Sequence, residues 1–319
     1  MLKLPGNVKN LGKENYYQKG QALLIILLVL SVVLTVSLSI VSRSVTDIKI
    51  TSNEEESVRA LSAAEAGVEQ ALKTGVSTGG IVTLPDNSQF EALVTEIVPT
   101  NDEFAYPKKL NKGESITFWL VSHDDSGNLN CIVGEPCYTG NGIDFYWGEP
   151  GTADNLDTTP AIEVSIYYDS AQTGIVNQNF SKINIVRANF DPKSTRLSLN
   201  DFTQADIGSF TIGGKEFKFR GQVDFTFAET PIINSCRQAR GCVLMAKVRM
   251  FYNDQPHSVG IDPQFTLNNH LSAQGINISS TGTSGLNQDI TRKINVFQSF
   301  AAAPHVFDST LFSYGDLIK

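Results

Sequence analysis

Apolar positions along this chain fall into three successive patterns: continuous, helical and alternating. Residues 21–42 form 22 positions without a charged side chain, dominated by Leu, Ile and Val. A helix needs about 20 such residues to cross a bilayer. Arg43 ends the run. The spacing then becomes helical, with Val45, Ile48, Leu61, Ala64, Val68, Ala71 and Leu72 close to one stripe that the polar residues 51–57 interrupt. Ala60, Ala63, Ala64, Ala66 and Ala71 are strong helix formers. Lys73 suits the negative end of a helix dipole, and Gly75 suits a C-terminal stop. The pattern predicts one helix from Gln21 to about Lys73, membrane-embedded in its first half and amphipathic in its second. At 1.5 Å per residue it would be about 80 Å long.

Residues 77–80 read as a short flexible junction. From Ile81 the period changes to alternation. The predicted strands are 81–84, 89–98, 115–122, 143–147, 161–169, 182–190, 209–212, 215–220, 223–228, 242–252 and 293–300. Ile162, Val164, Ile166 and Tyr168 alternate cleanly, as do Val223, Phe225 and Phe227, the signature of half-buried antiparallel strands. Phe210 to Phe217 reads as a hairpin closed by Gly213-Gly214, and Asn253-Asp254 as another turn. Residues 279–288 read as a polar loop. Residues 148–160 are rich in turn formers and serve either as a long loop within one composite head, the favoured reading, or as a boundary between two β subdomains. The expected fold class is α+β: a long N-terminal helix followed by a β-rich antiparallel head, a lollipop in outline. Residues 1–20, 21–75 and 76–319 are its three segments.

Charge orients the helix. Residues 1–20 carry Lys3, Lys9, Lys13 and Lys19 against the single acid Glu14. The positive-inside rule keeps that end cytoplasmic and sends the head outward. Beyond Lys73 the chain holds 17 basic and 26 acidic residues, a balance of −9. This disfavours nonspecific nucleic-acid binding through the head, since phosphate contacts need clustered Lys and Arg, and no specific nucleic-acid partner is expected. The small basic groups at Lys108/Lys109/Lys112, Lys215/Lys218/Arg220 and Arg237/Arg240 read as solvated surface.

The four cysteines form two C-x5-C pairs, Cys131/Cys137 and Cys236/Cys242. An exported compartment permits disulfides, and two local bridges are the preferred connectivity among the three possible. A four-cysteine zinc site is the alternative, but its knuckles are usually C-x2–4-C.

No catalytic constellation stands out, so no enzyme activity is expected. His123, His257, His270 and His305 are isolated, and there is neither a G-x-x-x-x-G-K nor a G-x-S-x-G nucleophile elbow between a strand and a helix, the string Gly75–Gly79 falling instead at the end of the long helix. No cofactor is expected. One weak calcium candidate exists: Asp124, Ser126 and Asn128 fall at loop positions 1, 3 and 5, and Glu135 at 12. However, Leu129 occupies the position that requires Gly, and D-D-S-G-N is also an ordinary turn. Phe118, Trp119, Tyr146, Trp147 and Phe251 read as core rather than as an exposed adhesive patch.

Lys19-Gly20 ahead of Gln21 and a long apolar helix resembles a type IV prepilin cleavage site. The run Ala60, Ala63, Ala64, Glu65, Ala66, Gly67, Val68, Glu69 resembles the N-terminal region of PilX-type minor pilins, and the likeness covers roughly residues 18–73. It implies removal of residues 1–20 by a prepilin peptidase, with methylation of the new N-terminus. It also implies packing of Leu23, Leu24, Leu27, Leu28 and Leu34 against other pilin helices. The implied partners are other pilins, the peptidase and the pilus assembly platform in the cytoplasmic membrane; the head's ligand is open. The implied location is a bacterial cytoplasmic membrane as a single-pass prepilin, then an extracellular pilus, the periplasm or the cell surface. Most major pilins carry Glu at the fifth mature position; here that position is Ile25, and the first is Gln21 where Phe is usual. Subunits lacking that Glu resemble the K-type minor pseudopilins of type II secretion, which sit at or near the filament tip. The competing reading is an uncleaved, signal-anchored adhesin or receptor with a β domain. A cleaved secretory signal fits less well, because the apolar run is long and no A-x-A site closes it.

Overall fold

The computed structural model describes residues 21–99, 102–124, 126–171, 175, 179, 183–225, 240–263, 271–285 and 289–302. Helix α1 spans Gln21–Thr74, as the pattern of residues predicts. It ends where Gly75 adopts φ 71° and its N–H donates to the Ala71 carbonyl at 2.8 Å, an ending that glycine favours. The strands that follow are β1 (Val82–Thr83), β2 (Gln89–Glu96), β3 (Phe104–Ala105), β4 (Ser115–Trp119), β5 (Ser122–His123), β6 (Leu129–Asn130), β7 (Gly142–Trp147) and β8 (Ala161–Tyr168). Then come β9 (Asn184–Asp191), β10 (Thr203–Gln204), β11 (Asp206–Ile212), β12 (Lys215–Asp224), β13 (Val243–Phe251), β14 (Val259–Asp262), β15 (Gly275–Ser284) and β16 (Ile290–Ser299). A 3-10 turn, Ser194–Arg196, and the short helix α2, Leu197–Asn200, interrupt them.

The strands form three larger sheets and one small hairpin, β5–β6. Their orders are β1-β2-β15-β16, β10-β9-β8-β13-β4 and β11-β12-β7-β14-β3. Among the described residues, only the β9–β10 pair is parallel. The two five-stranded sheets share one core. Phe118, Ile162, Ile166 and Val248 enter it from one sheet, and Phe145, Trp147, Phe219 and Ile261 from the other. The alternating residues Ile162, Val164, Ile166 and Tyr168 all lie in that core, which is why β8 reads so clearly. The loop of residues 148–160 joins β7 to β8, one strand in each of these sheets. The Gly213-Gly214 hairpin forms as read: Ile212 faces Lys215, and the two glycines take φ 54° and 76°, the positive values that such a two-residue turn demands.

Several expectations are corrected. Residues 279–288 are not a loop at their start, since β15 runs from Gly275 to Ser284 as the central strand beneath the helix. Beyond Ile278 its buried face is Ser280, Gly282 and Ser284, so small residues hid the part of the strand that packs closely. Residues 215–220 and 223–224 are not separate strands, because β12 continues through Gly221 to Asp224; residues 226–228 of the second predicted strand lie outside the described residues. A Cβ at Gly221 would stand 2.4 Å from the Phe190 ring, so this glycine makes room for an aromatic rather than breaking the strand. The junction at 77–80 is hydrogen-bonded along β2 rather than loose. The Ser77 hydroxyl accepts from the Val94 N–H at 2.9 Å, and the Thr78 N–H donates to the Ala92 carbonyl at 3.0 Å. The short buried strand β14 carries no alternation long enough to read.

Candidate functional sites: the helix seam and the disulfide end

Helix α1 has two environments. Its first half touches no part of the head: Leu23, Leu24, Ile25, Leu27, Leu28 and Leu34 are all exposed. The apolar window is unburied throughout and is long enough to span a membrane, which makes it compatible with a membrane anchor. The hydroxyls within it are satisfied locally, Ser31 donating to the Leu28 carbonyl and Thr35 to the Val32 carbonyl, both at 2.8 Å. Such back-bonding suits a medium with no water to hydrogen-bond. Lys19 and Gly20 lie outside the described residues.

The second half docks on the β1-β2-β15-β16 sheet. Ala60, Ala63, Ala64, Gly67, Val68 and Ala71 face the sheet, while Glu65 and Glu69 face out and Ala66 sits at the edge. The seam is unusually tight. A Cβ at Gly282 would lie 2.0 Å from the Ala60 carbonyl oxygen and 2.4 Å from the Ala64 nitrogen. One at Gly67 would lie 2.3 Å from the Ser280 hydroxyl and 2.7 Å from the Phe90 ring. The family-like run therefore has a local physical reason: small residues on helix and strand let their backbones meet. At its edge Glu56 accepts a hydrogen bond from the Ser284 hydroxyl. Glu55 forms an exposed ion pair with Arg59 at 2.6 Å.

The cysteines gather at the other distinctive place. Cys131 and Cys137 are joined to each other, and Cys242 is also disulfide-bonded; Cys236 lies outside the described residues. A Cβ on Gly241 would sit 3.2 Å from the Cys131 Cβ, so Cys242's loop packs against the first bridge although the sequence separates them by about a third of the chain. Arg240 reinforces the contact by donating to the carbonyls of Ile132 (3.1 Å) and Glu135. Ile132 and Val133 project into solvent from this braced loop.

The calcium candidate lies here too, and the Asp124 carboxylate and Asn128 amide are engaged in a turn. Asp124 accepts from the Ser126 and Asn128 backbone N–H groups at 2.9 and 2.8 Å, and from the Asn128 amide at 3.2 Å. These bonds hold its carboxyl below the usual range, the Asn128 backbone bond contributing most. Gly127 at φ 79° completes the β5–β6 hairpin. Among the described residues, no three His, Cys, Asp or Glu side chains gather as metal ligands.

Beside this hairpin lies a cleft of roughly 430 Å³. Its floor is a cross-strand row. Met245 of β13 stands opposite Trp119 of β4 on one side and Tyr167 of β8 on the other. The register of β13 shifts between Val243 and Met245, a bulge that lets the consecutive residues Leu244 and Met245 both line the cleft. His123 closes one end, edge-on to Trp119 at 4.5 Å and stacked on Phe300 at 4.2 Å. Burial keeps this imidazole neutral by lowering its pKa to about 4, against a weaker opposing pull from Asp124. The buried Trp119 Nε1 and His123 Nδ1 have no hydrogen-bond partner among the described residues. The sequence did not single out this site, because its row draws on strands in the spatial order β4-β13-β8.

The other expectations fall as follows. Phe118, Trp119, Tyr146 and Trp147 are buried, and Phe251 is partly so. His257 lies apart from the cleft, its main chain bonded to Leu110; His270 and His305 lie outside the described residues. The basic groups are largely engaged: Lys108 with Glu114, Lys109 with Glu149, Lys215 with the Tyr106 carbonyl and Arg220 with Asp206.

Fold and sites together define a β-rich head on a long apolar helix of membrane-spanning length. Comparison of the chain with models of known protein families, with curated proteins and with solved structures finds no match.

Proposed function

We propose that this chain is a minor pilin, or a closely related minor pseudopilin, that acts by assembly rather than catalysis. The observation that carries the reading is the division of α1: 54 continuous helical residues, the first half apolar and uncovered, the second sealed to the head by small residues. A prepilin peptidase removes residues 1–20, cutting between Gly20 and Gln21. The assembly platform then moves the helix from the bilayer into a bundle of pilin helices, where Leu23, Leu24, Leu27, Leu28 and Leu34 pack. Apolar surface stays away from water in both states, so the transfer needs little hydrophobic driving force. Val58, Leu61 and Leu72, which the head leaves exposed, add contact surface for neighbouring subunits. Ile25 offers no carboxylate to a neighbour's N-terminal amine, and burying that amine unpaired is costly. The subunit therefore suits a tip or priming position.

The test is the mass of the N-terminal peptide after co-expression with a prepilin peptidase. The expected product begins at Gln21, with or without an N-methyl group. An intact Met1 terminus beside an active peptidase would remove the pilin reading. What would remain is the signal-anchored adhesin or receptor, which the aromatic cleft favours.

A further inference from the structure

The cleft over the Trp119–Met245–Tyr167 row has the features of a small-ligand site rather than of leftover surface. Its volume falls within the range of small-molecule pockets. Its floor combines two aromatic rings with a thioether, which suits a flat apolar guest through ring and sulfur contacts. The β13 bulge turns an additional side chain, Leu244, toward it, and bulges of this kind are enriched beside functional sites. Most tellingly, the Trp119 indole N–H is buried without an acceptor among the described residues. A buried donor left unpaired is costly, and the great majority in folded proteins are satisfied. The other indole, that of Trp147, shows the ordinary solution by donating to the Pro160 carbonyl at 2.9 Å.

We propose that this cleft binds a small planar aromatic molecule carrying a hydrogen-bond acceptor, of the size and polarity of a substituted phenol. The guest lies on the Trp119–Met245–Tyr167 row, and its oxygen accepts from the Trp119 N–H. That N–H has no contact with solvent, so recognition requires a small shift of the wall. Met245, which lines the cleft opposite Trp119, has an unbranched side chain that adapts at little cost. The Asp124 turn, through Gly127 and Asn128, forms the rim.

The chain contains two tryptophans, so ¹⁵N-tryptophan labelling of the full chain in lipid nanodiscs yields one indole signal from the cleft and one from the core. A Trp119→Phe variant assigns them. Titration with p-cresol is expected to move the Trp119 N–H signal downfield to saturation while the Trp147 signal stays fixed. Toluene, which lacks the acceptor, should bind about tenfold more weakly. Tyr167→Ala, at a part-exposed position, should weaken p-cresol about fivefold. The proposal is overturned if Trp119 shows no saturable shift, if both indoles move together, if toluene matches p-cresol, or if Tyr167→Ala binds as the parent does.

Discussion

The head is held together by two interfaces built on opposite principles. Between the two five-stranded sheets, Phe118, Phe145, Trp147 and Phe219 fill space with large rings. Between α1 and β15 the small residues leave so little space that a carbon added at Gly282 would collide with the backbone of Ala60 and Ala64, and one added at Gly67 with the Ser280 and Phe90 side chains. The first interface gains stability from the volume of apolar surface buried. The second gains it from closeness, with dispersion contacts and main chain brought together. The contrast explains why one half of the fold is conspicuous in a hydrophobicity pattern and the other is not.

The comparison predicts opposite sensitivities. Removing atoms should damage the sheet–sheet core most. Trp147→Ala empties its largest buried side chain and abandons the Pro160 bond. It should cost about 3–5 kcal/mol, read as a shifted urea midpoint with Trp119 fluorescence as the probe. Adding atoms should damage the seam. Gly282→Val should cost about 3 kcal/mol, the upper end for overpacking, because helix backbone cannot yield as a side-chain tip can. Hydrogen exchange should quicken at residues 60–71 while the sandwich amides stay protected. The reverse change at the same contact, Ala64→Gly, removes a methyl group and should cost only about 1 kcal/mol. If Ala64→Gly proved as harmful as Gly282→Val, the distinction between closeness and volume would fail.

A smaller effect separates both interfaces from the satellite cluster at the disulfide end. His123 is kept neutral there by burial, whereas the ring in an unfolded chain titrates near pH 6.5. The unfolded state therefore takes up the proton first as pH falls. The contribution is complete above about pH 6.5 and is lost progressively toward pH 4. The ring is part-exposed, and Asp124 on its own hairpin favours the charged form, while Glu96 and Glu135 face the adjoining small pocket. The loss should thus be on the order of 1 kcal/mol. Melting temperatures between pH 7.5 and 4.5 should fall more steeply for the parent than for His123→Phe, which keeps the stack on Phe300.

Reading the chain residue by residue captured whatever depends on local periodicity. The long helix, its end at Gly75, the Gly-Gly hairpin and the strongly alternating strands were all legible, because side-chain direction along a helix or strand follows from backbone geometry alone. The strand β15 was not, since Ser, Thr and Gly carry no hydrophobic signal, and their smallness acquires meaning only against the alanines of α1. Nor was the role of Gly221, which depends on where Phe190 arrives from another strand. The cleft was least legible of all. Its residues come from strands whose order in space differs from their order in the chain, and a one-residue bulge brings two consecutive side chains to its wall. Local spacing carries secondary structure and the membrane-length helix; long-range strand pairing, and the steric demands it creates, decided which small residues form a seam and which aromatic residues form a site.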